Sequence, residues 1–300
     1  MKPKINILIT DLDNTLFDWF QIWHQSFTAM LGEIGRISGI PTEVLKTEIK
    51  TVHETHGTSE YAFLIEELPS LRVKHPGEDL KVLYEPAILA FRAARKAELR
   101  LYPSVHETLE TIQKCGALII GYTESLEFYS TYRIRKLDLD GLLDIVYFPP
   151  DHDLPDTHER IRLYPSDVYK LTRTKTCRTP KGETKPNPTL LSRIVQDAGG
   201  SKDMAAYVGD NLMKDIAMAQ RAGIKDVWAE YGVAHHRKEY ELLRRVTHWK
   251  PESVQTERNL SEDDVKPTYV LDDFSGLLTL FEFTQFKPVE AADATVSRTL

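Results

Sequence analysis

Residues 8–19 read "LITDLDNTLFDW". An apolar run stops at Asp11, Asp13 follows after one leucine, and Thr15 comes two further on. The run "INILIT" at 5–10 is apolar, β-branched and short, which predicts a buried strand. Two carboxylates at the end of such a strand are costly if they stay unpaired. Either something cationic sits between them, or the segment is a surface turn, and the rest of the chain must decide.

Downstream, the pattern changes twice. Residues 17–100 carry helical spacing in "YAFLIEELPSL" and "LYEPAILAFRAARKAELRL", interrupted at Pro69 and at "HPGEDL" (75–80), and no strand signal. From residue 101 onward, short apolar runs alternate with amphipathic segments. "ALIIGYT" (117–123), "LLDIVYFP" (142–149), "MAAYVGD" (204–210), "IKDVWAE" (224–230) and the start of "PTYVLDDFSGLLTLFE" (267–282) read as strands. "PSVHETLETIQKCG", "SLEFYSTYRIRKLDLDG", "PTLLSRIVQDAGG" and "NLMKDIAMAQRAG" read as helices between them. This alternation predicts βαβ units and a parallel sheet, an α/β class with Rossmann-like layering. In such sheets the chemistry gathers at the C-terminal strand ends, where Asp11, Thr123 and Asp210 all fall. Residues 1–16 and 101–284 are thus predicted to form the α/β core, with 17–100 an inserted helical domain. Residues 149–184 form a long basic insertion, and 285–300 a polar, frayed tail.

Composition narrows the classes. The 300 residues are 41% hydrophobic and 28% charged with a net charge of −7, ordinary for a globular chain and unlike a general nucleic-acid binder, which needs a basic surface. The N-terminal apolar run is too short for a signal peptide, and no run approaches the roughly 18 apolar residues of a membrane span. Cys115 and Cys177 lie far apart with no CxxC spacing, consistent with two reduced thiols and a cytoplasmic location.

The strand-end acids have a chemical reading. Asp210 and Asp215 in "GDNLMKD" add to Asp11 and Asp13, and converging carboxylates repel one another. A hard divalent cation relieves that repulsion. Mg²⁺ takes oxygen ligands and commonly keeps positions for water and substrate phosphate. Asp210 could equally serve as a helix cap. Thr123 could donate to a phosphoryl oxygen or cap a helix. Lys185, in "KGETKPNP", could neutralise a transferring group or be an exposed loop cation.

Taken in order, "DLDNT" (11–15), "GYT" (121–123), "KPNP" (185–188) and "GDNLMKDIAMAQRAG" (209–223) resemble the motifs of the haloacid dehalogenase-like (HAD) hydrolase superfamily, and "LYPSVHETL" (101–109) resembles its re-entry from a helical cap to the core. That resemblance implies a three-layer HAD-like core with a helical cap inserted after the first motif. It implies Asp11 as nucleophile and Asp13 as general acid/base. Thr123 and Lys185 would bind the phosphoryl group. Mg²⁺ would sit on Asp11, the backbone carbonyl of Asp13 and Asp210, with Thr15, Asn187, Asn211 and Asp215 in support. Because the dehalogenase branch lacks an aspartate in the place of Asp13, the resemblance favours a Mg²⁺-dependent phosphatase acting on a small phosphorylated metabolite. A 5'-nucleotidase, a phosphomutase and a non-catalytic regulator are the alternatives. No membrane partner and no nucleic acid are expected, and oligomeric state is not legible.

Other residues carry double readings. Glu124, directly after Thr123, would either add negative charge beside the phosphate or turn away to cap the helix. His53, His56 and Tyr61 lie in the polar stretch "TVHETHGTSEYAF" (51–63), which could face substrate or simply join two helices. Trp19, Phe20 and Trp23 could pack the hinge or stack on a nucleobase. The cations of 158–185 (Arg160, Arg162, Lys170, Arg173, Lys175, Arg178, Lys181, Lys185) could recognise an anion or form a solvated excursion.

Overall fold

A computed structural model describes residues 1–151, 168–259 and 265–288. The chain divides into two compact units. One takes in Met1–Phe17 and the described parts of Leu101–Val233 and Glu262–Leu300; the other takes in Asp18–Arg100 and the described part of Ala234–Ser261.

The first unit is built on a seven-stranded, all-parallel sheet. Its strands are β2 (Ile7–Thr10), β3 (Leu118–Tyr122), β4 (Ile145–Phe148), β5 (Lys175–Arg178), β6 (Ala205–Gly209), β7 (Lys225–Ala229) and β8 (Tyr269–Leu271), in the order β5-β4-β3-β2-β6-β7-β8. A two-stranded parallel pair joins β1 (Lys4–Ile5) to β9 (Glu282–Phe283). The chain runs outward from β2 through β3, β4 and β5, then returns to the other flank of β2 with β6. The order therefore reverses at β2, and the crevice beyond its carboxyl end is where such sheets place ligands. Ile7 and Ile9 on β2, Ile120 and Tyr122 on β3, and Tyr207 on β6 bury one face. Against them pack Leu190, Leu191 and Ile194 of the helix Pro188–Asp197 and Met218, Ala219 and Ala222 of the helix Ala217–Ala222. The period of two along each strand turns Leu8 to the opposite layer.

The second unit is helical. Trp19–Ser38 (α1) buries Phe20, Trp23, Phe27, Met30, Leu31 and Ile34, a three-and-four spacing that makes one apolar stripe. Asp18 caps its start by accepting from the Gln21 N–H at 2.9 Å. Leu45, Ile49 and Val52 of Thr42–His56 (α2) and Ala87 of Glu85–Glu98 join the same core.

Three expectations need correction. The helical unit starts at Asp18 and also includes chain from Ala234 onward, because Tyr240, Leu243 and Val246 of the helix Tyr240–Val246 pack into that helical core. The stretch 149–184 is not simply an insertion: Lys175–Arg178 is the sheet's edge strand, too short and too polar to signal itself. Asp140 anchors its approach by accepting the backbone N–H groups of Thr172, Arg173 and Thr174 at 2.9–3.1 Å. Of the cations there, Arg178 pairs with Glu127 at 2.8 Å; Arg160 and Arg162 lie outside the described residues. The tail does not fray at 285: the Phe286 N–H donates to the Gly116 carbonyl at 2.8 Å, while 289–300 lie outside the described residues. Of the two readings of Phe20 and Trp23, packing is the one seen: both are buried in the helical core, with Trp23 stacked on Phe27 at 4.8 Å, and neither presents a face to a base.

Among the described residues, no helix is long and apolar enough to cross a membrane.

Candidate active site at the end of β2

Asp11 follows β2 directly and is held by its own N–H, which donates to the Val208 carbonyl on β6 at 2.8 Å. The residue is 7% exposed. One carboxylate oxygen accepts a short hydrogen bond from the Lys185 ammonium, and the other accepts from the Thr15 hydroxyl at 3.4 Å. Lys185, also buried, donates to Asp215 at 3.0 Å. Asp215 in turn accepts from the Tyr207 hydroxyl at 2.8 Å and from the Asn211 N–H at 3.0 Å. The backbone around Asp210 is fixed by Trp228, whose indole N–H donates to the Asp210 carbonyl at 2.8 Å.

Two glycines are required by close approach. A Cβ on Gly209 would lie 2.4 Å from Cγ of Asp215, so the glycine makes room for that carboxylate rather than for an unusual turn. A Cβ on Gly232 would lie 1.8 Å from the Asn14 carbonyl oxygen. Asn14 itself sits at φ 59°, a left-handed conformation that asparagine tolerates. The loop is held from the other side by the Tyr231 hydroxyl, which donates to the Thr15 carbonyl at 2.7 Å.

The electrostatics is lopsided. One ammonium, Lys185, faces three carboxylates, and ligand atoms of Asp11, Asp210 and Asp215 lie within 4.8 Å of one another. Burial, opposed by Lys185 and reinforced by Asp215 and Asp13, pushes the Asp11 carboxyl up to about 8. Burial, with the charges of Asp215 and Asp11, holds Asp210 well above the ordinary carboxylate range. Burial alone would lower Lys185, but Asp11 and Asp215 hold it well above its usual value. A group of hard oxygen donors with surplus negative charge fits a small divalent cation such as Mg²⁺.

The predicted residues do not form one cluster. The Asp13 carboxylate is not one of the group that lies within 4.8 Å, so the carboxylates that could hold a cation are those of Asp11, Asp210 and Asp215. Asp13 instead accepts from Thr123 at 3.2 Å and Ser125 at 2.6 Å on one oxygen, and from Arg133 at 3.1 Å on the other. The Thr123 hydroxyl is thus directed at Asp13, and it accepts the Ser125 N–H at 3.0 Å. Glu124 neither caps the helix nor stands unpaired. It accepts the Lys185 N–H at 3.0 Å and the Lys214 ammonium at 2.6 Å. Burial would raise its carboxyl, but Lys214 and Lys185 outweigh this and hold it below its ordinary value. Asn187 caps the helix Pro188–Asp197 through the Leu190 N–H at 2.9 Å, and Asn211 caps the π-helical turn Leu212–Ile216 through Met213 and Lys214.

The three helical-unit candidates have internal partners. His53 is 1% exposed and donates Nδ1–H to the Val246 carbonyl at 2.7 Å, which leaves no face for a ligand. His56 stacks on Tyr61 at 3.6 Å, and both reach Glu67, at 2.8 and 2.6 Å.

Sequence reasoning missed Ser125, Arg133, Tyr207 and Lys214. Arg133 lies in the helix Glu127–Lys136 as one of three cations in the last turn. Such cations ordinarily complement the helix dipole at the surface, and no local signal separates the buried one from its neighbours. Tyr207 reads as ordinary strand filling.

A parallel sheet reversing at β2, with carboxylates at its strand ends and a buried lysine among them, defines an α/β protein with a candidate cation site. The chain belongs to the haloacid dehalogenase-like hydrolase family, whose model matches residues 5–223; a second, HAD-hydrolase-like model matches 183–277. It is 24% identical over 240 residues to a glyceraldehyde 3-phosphate phosphatase of Pyrococcus furiosus, covering 76% of this chain and 82% of that one. It is 23% identical over 218 residues to a phosphoglycolate phosphatase of Agrobacterium fabrum, covering 72% and 70%. In fold it is similar to a 2-haloacid dehalogenase of Pseudomonas syringae, with a TM-score of 0.51 and 18% identity over 92% of this chain and 97% of that one.

Proposed function

We propose that this hydrolase is a Mg²⁺-dependent phosphatase that cleaves a small phosphomonoester through an aspartyl-phosphate on Asp11. The observation carrying the reading is the contact of the buried Asp11 carboxylate with the Lys185 ammonium, beside Asp210 and Asp215. The two relatives named for phosphatases of small phosphorylated metabolites support the substrate class.

An Asp11 oxygen attacks phosphorus, the bond to the leaving alcohol breaks, and the alcohol oxygen takes a proton from Asp13. Asp13 then removes a proton from water, whose oxygen attacks the same phosphorus and returns Asp11 to its carboxylate with release of inorganic phosphate. Lys185 binds the phosphoryl oxygens, while the Thr123 hydroxyl holds Asp13. Asp11, Asp210 and Asp215 would hold Mg²⁺, which when bound offsets the negative charge that otherwise opposes attack of one anion on another. Glu124 and Lys214 position Lys185 through its backbone. The helical unit, inserted in the chain directly after the segment bearing Asp11 and Asp13, is assigned the role of a cap that excludes bulk water.

The test is release of inorganic phosphate from p-nitrophenyl phosphate and from a panel of phosphorylated two- to six-carbon metabolites. Turnover stopped by EDTA, restored by Mg²⁺ and lost in Asp11→Asn supports the reading. Metal-independent turnover, or turnover surviving Asp11→Asn, contradicts it.

A further inference from the structure

Among the described residues, Arg133 is the largest fully buried side chain, and it carries a charge; it is 2% exposed. A guanidinium is always protonated, and burying it is costly unless carboxylate and dipoles surround it. Its Nη1 donates both to Asp13 Oδ1 at 3.1 Å and to the Ser125 hydroxyl at 3.0 Å, while that hydroxyl donates to Asp13 Oδ2 at 2.6 Å. The rings of Phe17 and Tyr129 flank the guanidinium at 5.8 and 5.5 Å. Asp13 is therefore gripped on both oxygens, but by chemically different groups. Arg133 has donors and no acceptor, so an oxygen facing it cannot carry a proton directed that way. The hydroxyls of Ser125 and Thr123 can rotate and act as donor or acceptor.

We propose that Arg133 is a positioning residue that reserves Oδ1 of Asp13 and thereby makes Oδ2 the oxygen that carries the catalytic proton, with Ser125 as the hinge between the two. The inference rests on the phosphatase reading above. In the step concerned, Asp11 forms its bond to phosphorus, the bond from phosphorus to the leaving oxygen breaks, and that oxygen takes the proton from Oδ2. A misdirected proton matters little when the leaving group is stable as an anion, and much when it is an alkoxide.

Leaving-group dependence therefore separates positioning from general damage. Wild type, Arg133→Met, Arg133→Lys and Ser125→Ala are compared by kcat/KM on p-nitrophenyl phosphate and on a turned-over alkyl phosphate, with circular dichroism as a fold check. Expected is a loss of about 100-fold on the alkyl phosphate but under about tenfold on p-nitrophenyl phosphate for Arg133→Met. Arg133→Lys falls between Arg133→Met and wild type, because lysine keeps the charge and the absence of an acceptor. Ser125→Ala shows the same selectivity on a smaller scale, and carries the comparison if Arg133→Met does not fold. Equal losses on both substrates, or none, overturn the inference while leaving the phosphatase reading intact. A wild type that hydrolyses neither substrate overturns both.

Discussion

The interior of the α/β unit and the interior of the helical unit handle polar groups in opposite ways. At the end of β2, buried charges pair with one another: Asp11, Lys185 and Asp215 form a chain, and Arg133 grips Asp13. In the helical unit they are neutral and mostly tied to backbone carbonyls: Ser26 to Ile22, Trp23 Nε1 to Ser59, His53 Nδ1 to Val246. A neutral donor on a carbonyl satisfies a core. Buried ion networks are poor stabilisers, since desolvation offsets much of the attraction. The contrast teaches that the ionic interior is kept for chemistry, and it can be broken from either side.

The largest expected effect is on activity. Asp11→Asn should lower kcat by at least about 10³-fold, measured by phosphate release. Its melting temperature should stay within about 5 °C of wild type, because Lys185 keeps Asp215 and one of three mutually repelling carboxylates is gone. The helical unit should respond the other way. Phe27→Ala removes a ring that is 2% exposed and should cost about 3–5 kcal/mol by denaturant unfolding.

A third prediction concerns pH. Burial, only partly offset by the Val246 carbonyl and reinforced by His248 and His56, lowers His53 to about 4 from 6.5. The unfolded chain therefore binds the proton between those values and the folded chain does not. The stability is complete above about pH 6.5 and declines as pH falls towards 4, by about 3 kcal/mol in all. His53→Gln should flatten that part of the pH–stability curve, and an unchanged slope would show that other groups carry it. The smallest effect is expected at Asp140. Its three backbone donors, against the cost of burial, hold the carboxyl well below its ordinary range. That contribution is present above the unfolded carboxylate range near pH 4 and is lost on acidification below it. Asp140→Asn should cost about 1–3 kcal/mol and raise amide exchange at Thr174–Arg178 ahead of β2.

Much of the fold was legible because it rests on local pattern. Six apolar runs predicted strands of the sheet, and 17–100 predicted a helical region. β5 was not legible, since "KTCR" owes its place to pairing with β4 and to the distant Asp140 anchor. The membership of Tyr240–Val246 in the helical unit depends on long-range packing that no periodicity reveals. At the site, residues at strand ends announced themselves, and Asp11, Lys185 and Asp215 do meet. Asp13, Thr123 and Glu124 were legible as positions but not as partners. Their counterparts Arg133, Ser125 and Lys214 sit in helix and turn sequence whose local pattern is satisfied without them.

The proposed intermediate is a covalent phosphoryl group on Asp11, and reductive trapping detects it in place. The enzyme is mixed with substrate and Mg²⁺, quenched in acid within the first turnover and treated with borohydride, which converts an aspartyl phosphate to homoserine. Peptide mass spectrometry should find homoserine in place of Asp11 and unmodified aspartate at Asp13. Modification at Asp13, or none at Asp11 in an enzyme with a confirmed burst of product, would contradict the account.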